Sequence, residues 1–357
     1  MNINNLRDNG LMDKKAIFKT ILETTKIGAQ FIGVKKIYDS MFGHHFYTTK
    51  YIGFLDSDFP QMEREKHTFR SYSKNKLIGY IYHQKSPQNK GIFVFCHGYG
   101  GGGHHCYLDL INAVVKQGYY VFAYDATAND ESEGNDIRGF TQGILDADKA
   151  ISYVESLKQF KDLPLYLMGH SWGAYSASNA IDYHPRVKGL IAFSGFNISY
   201  SIFEANGEIY AGEASKEFLS YIIDKEERTF GKLAFHTSLE SFERTKAKVV
   251  IVHSGDDETV PICAGYELYY PKFKDNKRFK FIRYNKRGHT GIYYTPEGYK
   301  YHQEIERAYN KYLKDNKEAA EKQKETFLKE LIDRKKYKNS VDIDLVKETI
   351  KFISKNL

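Results

Sequence analysis

The sequence predicts an α/β fold: a mainly parallel sheet covered by helices, entered through an N-terminal antiparallel hairpin and interrupted by an inserted helical cap. Three observations predict it. From residue 91 to residue 284, short apolar runs alternate with helical stretches, the rhythm of a parallel sheet with crossover helices. Several runs, such as Gly91 to Cys96, are continuously apolar, as in strands buried on both faces. Ahead of them, Lys74-Asn75-Lys76 separates two strand-like stretches and reads as a hairpin turn.

The elements follow in order. Residues 12 to 42 read as one or two amphipathic helices, with Ile17, Ile21, Leu22, Thr25 and Ile32 on one side. The hairpin strands are expected at His67 to Ser73 and Leu77 to His83. A helix near Tyr107 to Lys116 is ended by Gly118, the next strand is Tyr119 to Tyr124, and a long helix covers about Thr141 to Gln159. Leu163 to Met168 is a strand and Ala174 to Asp182 a helix. Further strands are expected at Val187 to Phe193, Val249 to His253 and Phe279 to Tyr284.

Two stretches break the rhythm. Residues 197 to 246 separate two core strands by about fifty positions, too many for a structureless loop in a compact domain. Their helical stretches, such as Glu217 to Ile223, and their aromatics read as a cap over the strand ends. Residues 297 to 338 are highly charged, with Ile305, Tyr309, Tyr312, Phe327 and Leu331 at helical spacing, and read as a solvated helix with one packed face. Ser340 and Asp342 offer caps for a last helix through Phe352. The expected organisation is a helical extension (1–66), a first part of the core (67–196), the cap (197–246) and a second part (247–357) carrying the charged insertion.

Composition narrows the function. The chain has 357 residues and 41% hydrophobic content, enough for a substantial core. Its net charge of +7 is spread along the chain, with no basic stripe and interleaved aromatics, so nucleic acid is not an expected partner. Cys96, Cys106 and Cys263 lack metal-ligand or disulfide spacing and suit a reducing compartment. Asp13, Lys14, Lys15, Lys19 and Glu23 interrupt any secretory apolar region. No apolar run reaches the roughly 18 residues of a membrane helix. The expectation is a cytoplasmic protein without a transmembrane segment.

The chemistry starts at Gly169-His170-Ser171-Trp172-Gly173. This G-x-S-x-G lies between a predicted strand and a predicted helix, the context of a nucleophile elbow. The turn is so sharp that small residues must flank the serine, which leaves Ser171 Oγ exposed above the sheet. A serine hydroxyl is a poor nucleophile at neutral pH and needs an oriented base. Behind such an elbow the partners come in the order serine, acid, histidine. His289 and His302 are the histidines beyond the candidate acids. His289 lies in a glycine-flanked loop, Gly288-His289-Thr290-Gly291, just after the last strand, and is the expected base. His302 lies in a charged helix. The acid should follow the preceding strand, in Gly255-Asp256-Asp257-Glu258-Thr259-Val260-Pro261. Asp257, three residues before Val-Pro, stands where the acid of such a fold usually does, with Asp256 as the fallback.

A tetrahedral oxyanion needs preorganised N–H donors. The expected ones are the amides of Trp172, directly after the serine, and of Tyr99, in the loop His97-Gly98-Tyr99-Gly100. That loop also supports a rival reading. Gly98-Tyr99-Gly100-Gly101-Gly102-Gly103 matches G-x-G-x-x-G, and Asp125 ends the next strand, as in a dinucleotide-binding oxidoreductase. The rival explains neither the elbow nor His289. His97, His104, His105 and Cys106 lack a second cluster of metal-ligand spacing, and His170 is expected to point away from Ser171.

At these residues the sequence resembles the α/β-hydrolase superfamily, across about residues 67 to 300 plus the last helix. His97-Gly98, the elbow, Gly255-x-Asp257-x-x-Val260-Pro261 and Gly288-His289 match in order and spacing. The likeness is greatest to bacterial esterases and to monoacylglycerol-lipase-like and serine-aminopeptidase-like members. Trp172 is similar to the Ser-Trp-Gly elbow of proline iminopeptidases, which usually carry glycine where this chain has His170. The resemblance implies a cofactor-independent serine hydrolase acting on a small acyl ester or a short peptide-like substrate. Phe203, Tyr210, Phe218 and Tyr221 of the cap are the candidate pocket walls. Tyr200 to Glu213 holds Glu204, Glu208 and Glu213 with no lysine or arginine. These acids suit the ammonium of a peptide N-terminus, or simply a solvated helical face.

Overall fold

The computed structural model describes residues 35, 36, 38–210 and 215–355. Their strands form one eight-stranded sheet, in the order β1-β2-β4-β3-β5-β6-β7-β8. The strands are β1 (Met62–Arg70), β2 (Lys76–Gln84), β3 (Ile92–Cys96), β4 (Tyr120–Tyr124), β5 (Leu165–His170), β6 (Val187–Phe193), β7 (Lys248–Ser254) and β8 (Phe279–Tyr284). The pairs β1–β2 and β2–β4 are antiparallel, and all pairs from β4–β3 to β7–β8 are parallel. The expected architecture is therefore observed. Most boundaries shift by one to three residues, and one by more. β1 begins at Met62, five residues before the expected start, because Met62 to Lys66 (MEREK) lie on an edge strand and carry no apolar alternation. Charged residues on an edge also discourage pairing with another chain.

Period-two alternation sends side chains to two helical layers. Ile92, Val94 and Cys96 of β3 join one core with helices α2 (Gln142–Ser156) and α3 (Trp172–Ala180). Phe93 and Phe95 join the other, with α1 (Leu108–Val115) and the last helix, α11 (Ile343–Ser354). Asp342 caps α11, accepting from Leu345 N at 3.0 Å. Ser340 instead donates its hydroxyl to Lys336 O.

Between β6 and β7 lie α4 (Ser201–Tyr210), α5 (Ser215–Phe230) and α6 (Ser238–Arg244). After β7 come α7 (Tyr266–Phe273) and, beyond β8, α8 (Pro296–Asp315), α9 (Glu321–Leu331) and α10 (Arg334–Tyr337). The charged stretch 297–338 is thus three helices rather than one. Ile305, Leu328, Ile332 and Tyr337 bury one side of it. Arg334 clamps it to the chain before the sheet, pairing with Asp58 and donating to Tyr51 O at 2.5 Å. Of the expected N-terminal helices, residues 12–34 lie outside the described residues. Residues 38–42 are helical, with Tyr38 and Phe42 buried.

The dinucleotide reading fails on this topology. The strand order differs from the 3-2-1-4-5-6 order of dinucleotide folds. The glycine loop opens a 3-10 turn, His104–Tyr107, ahead of α1. Gly103 N donates to Asp130 Oδ2 at 2.8 Å, and a Cβ at Gly103 would lie 1.9 Å from Asp125 Oδ1. The protein's own carboxylates thus occupy the space and the N–H group that a pyrophosphate would require. Asp125 is buried and bound to His104 Nδ1 at 2.6 Å, out of reach of a ribose.

Candidate active site

β5 runs into α3 through Ser171, whose backbone sits at φ 57°, ψ −122°. A positive φ at a non-glycine residue is strained and needs surrounding structure to hold it. Packing supplies the hold. A Cβ at Gly169 would lie 2.4 Å from Gly173 O, and one at Gly173 would lie 2.0 Å from Cys96 O. Only glycine at both positions lets β3, β5 and α3 approach this closely. Ser171 N donates to Phe193 O at 2.8 Å, tying the turn to the end of β6. The Trp172 amide opens α3, where helix N–H groups lack intrahelical partners and the helix dipole favours negative charge.

The loop after β7 resolves the two adjacent aspartates. Asp257 Oδ2 accepts from His289 Nδ1 at 2.8 Å. Its Oδ1 accepts from Thr259 N at 2.9 Å and Val260 N at 2.8 Å. Burial alone would raise this carboxyl, but the His289 charge and hydrogen bonds from His253 and His289 outweigh it and hold it well below the usual carboxylate range. Asp256 does a different job. Its Oδ1 accepts from Ser254 Oγ at 2.6 Å, Arg287 N at 3.1 Å and Gly288 N at 2.9 Å. It shapes the backbone that leads into His289. His302, the other candidate base, is stacked between Tyr294 and Tyr337, with ring centroids 4.2 and 4.1 Å away. Burial lowers its pKa to about 4.

His289 stands beside the elbow. Its carbonyl oxygen accepts from His170 Nε2 at 3.0 Å, and the two rings are 4.7 Å apart. Among the described residues, neither Ser171 Oγ nor His289 Nε2 has a protein hydrogen-bond partner; such contacts often tighten only around substrate. An imidazole fixed at Nδ1 by a carboxylate and open at Nε2 can take up and return a proton.

The glycine loop after β3 is fixed from several sides. His97 donates from Nδ1 to Gly98 O at 2.7 Å and accepts at Nε2 from Ala126 N at 2.9 Å. Burial lowers its pKa and keeps it neutral. Tyr99 donates its hydroxyl to Met41 O at 2.5 Å, and its ring meets those of Trp172 and Phe140 edge-on. The two expected oxyanion residues are thus neighbours through their side chains.

The aromatics of α4 and α5 reach this neighbourhood through Phe140. Phe203 stacks on Phe140 at 5.7 Å and meets Phe218 edge-on at 5.8 Å. Both are buried, whereas Tyr221 is half-buried against Tyr38. The side chains of Tyr210 and Glu208, and all of Glu213, lie outside the described residues; Glu204 is exposed. Sequence reasoning missed Glu226 of α5. This buried carboxyl group accepts from Phe140 N at 2.9 Å and Thr141 N at 3.3 Å, tying α5 to the start of α2. It also missed Phe140, whose carbonyl accepts from Trp172 Nε1 at 2.7 Å. A glutamate in a charged helix and a lone phenylalanine carry no sequence signal for these contacts.

The profile of the family described as "Serine aminopeptidase, S33" matches residues 87–203. An esterase of Pyrococcus furiosus superposes with a TM-score of 0.52 at 18% identity, over 73% of this chain and 95% of its own. Acetyl xylan esterase 1 of Thermoanaerobacterium gives 0.46 at 16% identity, over 71% of this chain and 92% of its own. An acylaminoacyl peptidase of Pyrococcus horikoshii gives 0.47 at 17% identity, over 66% of this chain and 39% of its own. No curated protein matches the sequence. Sheet order, elbow and profile together define a hydrolase of the α/β class. The chain has the α/β-hydrolase fold, and its residues 87–203 are similar to the serine aminopeptidase family of that fold. Among the described residues no helix is long and apolar enough to cross a membrane.

Proposed function

We propose that the chain hydrolyses a small acyl ester through Ser171, His289 and Asp257. The observation that carries this reading is the Asp257–His289 pair, 2.8 Å apart, set beside a strained serine at a strand–helix turn. Ser171 Oγ attacks the ester carbonyl and its proton passes to His289 Nε2. Asp257 holds Nδ1–H and stabilises the imidazolium. The amides of Trp172 and Tyr99 receive the oxyanion. Collapse expels the alcohol, which leaves with the proton from His289. Water, deprotonated by His289, then attacks the acyl-enzyme, and the acid departs as Ser171 recovers its proton. Residues 197–246 act as the cap, with Phe203, Phe218 and Tyr221 shaping the acyl site.

A second reading, an aminopeptidase or amidase of the same chemistry, is favoured by the serine aminopeptidase profile. Here the exposed Glu204 would meet the substrate ammonium. Turnover of p-nitrophenyl acyl esters beside aminoacyl anilides separates the two, with Ser171→Ala as the control. The ester reading expects faster ester turnover and fluorophosphonate labelling that Ser171→Ala abolishes. Labelling that persists in the variant would place the nucleophile elsewhere.

A further inference from the structure

His170 precedes the serine, and the three loops of the site meet on its ring. Nε2 lies 3.0 Å from His289 O, and Nδ1 lies 3.0 Å from Tyr107 Oη. Tyr107 Oη in turn lies 3.1 Å from Gly98 N. A carbonyl only accepts, so Nε2 carries the proton and Nδ1 of the neutral ring is an acceptor. Tyr107 must then donate to Nδ1 and accept from Gly98 N–H. Every role is determined, and the chain runs one way: Gly98 N–H to Tyr107 O–H to His170 to the His289 carbonyl. It joins segments far apart in sequence, at positions 98, 107, 170 and 289.

We infer that His170 is a positioning residue, which holds the backbone of the base and the Gly98–Tyr99 loop in register with Ser171. The inference rests on the proposed serine chemistry and deepens it. Three features support it. The ring is buried and wedged by Tyr293, edge-on at 5.4 Å, so it cannot swing out. A Cβ at Gly98 would lie 2.4 Å from Tyr107 Oη, so the glycine lets the loop close onto the hydroxyl. The ring must also stay neutral. A proton on Nδ1 would leave the Tyr107 hydroxyl without its acceptor and set a positive charge 4.7 Å from His289. Burial and the neighbouring His289 lower the His170 pKa to about 3, which keeps the chain intact in the neutral range.

The test uses three single variants and one double variant of the full chain, p-nitrophenyl butyrate turnover and the rate at which fluorophosphonate labels Ser171. His170→Leu keeps apolar bulk and removes both hydrogen bonds. It should lower kcat and labelling by about 10²-fold, the scale of an approximately 1 Å misplacement, with KM near the parent value. His170→Gln retains a donor toward His289 O and should recover part of that loss. Tyr107→Phe deletes only a hydroxyl and should cost about tenfold. Added to His170→Leu it should cost little more, because both break one chain. A His170→Leu enzyme with parent kcat and labelling would overturn the inference, as would full multiplicative losses in the double variant. If His170→Leu does not fold, Tyr107→Phe decides alone: parent labelling overturns the inference, and a tenfold loss at unchanged melting temperature supports it. Failure of the serine chemistry itself looks different, because Ser171→Ala and His289→Ala would then keep their activity.

Discussion

Two buried aspartate–histidine pairs stand at the carboxyl ends of strands, Asp257–His289 beyond β7 and Asp125–His104 beyond β4. Their bond lengths are alike, 2.8 and 2.6 Å, and in each the carboxylate meets Nδ1. They differ at the other ring nitrogen. His104 Nε2 is hydrogen-bonded to the Tyr82 hydroxyl at 2.8 Å, and both members of its pair are fully buried. His289 Nε2 has no protein partner among the described residues, and its side chain keeps 12% exposure. The first pair has spent its proton chemistry on holding the glycine loop against β2. The second keeps one nitrogen open, as the proposed serine chemistry requires. A carboxylate on a histidine thus does not define a base; the open nitrogen does.

Substitutions can break this comparison, beginning with the histidines. His289→Ala should lower kcat/KM on a p-nitrophenyl ester by about 10⁴-fold or more, at nearly unchanged melting temperature. His104→Ala should do the reverse. It leaves a buried carboxylate unpaired, which costs about 3–5 kcal/mol of stability, while turnover per folded molecule stays near the parent value. Chemical denaturation and active-site titration would measure both, and a His104→Ala enzyme that is stable but inactive would contradict the assignment.

The aspartates sharpen the contrast. Asp257→Asn should cost about 10⁴-fold in kcat, since an amide orients the wrong tautomer. Asp256→Asn should cost far less, because its amide oxygen can still accept from Arg287 N and Gly288 N. A reversed order would transfer the orienting role to Asp256.

Smaller effects appear in pH dependence. Burial alone would raise the Asp125 pKa, but the charge and hydrogen bond of His104 outweigh it and lower it to about 2. A depressed acid stabilises the fold above its ordinary value near 3.8, and that contribution is lost as pH falls toward about 2. Asp125→Asn should remove this acid-side slope from melting curves. Glu226, in α5, has the opposite sign. Burial raises it from 4.5 to about 7, despite the hydrogen bonds from Thr141, Phe140 and Tyr38 that lower it. Its contribution is present below about 4.5 and lost as pH rises through about 7. Relative to the parent, Glu226→Gln should therefore gain melting temperature between pH 5 and pH 8. A gap that does not widen with pH would mean that Glu226 stays ionised in the fold.

The legibility of this chain follows the range of the interactions. The alternation of strands and helices and the elbow at Ser171 were readable because their causes are local. Periodicity sets the faces of a strand, and the flanking glycines answer a steric demand within five residues. The meeting of an aspartate after β7 with His289 after β8 was also readable, because topology brings successive strand ends to one edge of the sheet. The start of the edge strand leaves no mark in the sequence, because exposure on an edge removes the apolar pattern. The charged stretch 297–338 read as one helix because its breaks carry only weak local signals, while its clamp, Arg334 to Asp58, spans most of the chain.

The sequence by itself determined the sheet, the serine and two adjacent candidate acids. Only the tertiary structure decided which aspartate meets His289, which aspartate–histidine pair is closed off by a tyrosine, and that the His170 ring meets the backbone of His289. The reason is physical. A turn imposes its residue types on its own neighbours, so it leaves a mark in the local sequence. A buried hydrogen bond needs only one donor and one acceptor at 3 Å, which many residue pairs can supply, and folding alone selects which of them meet.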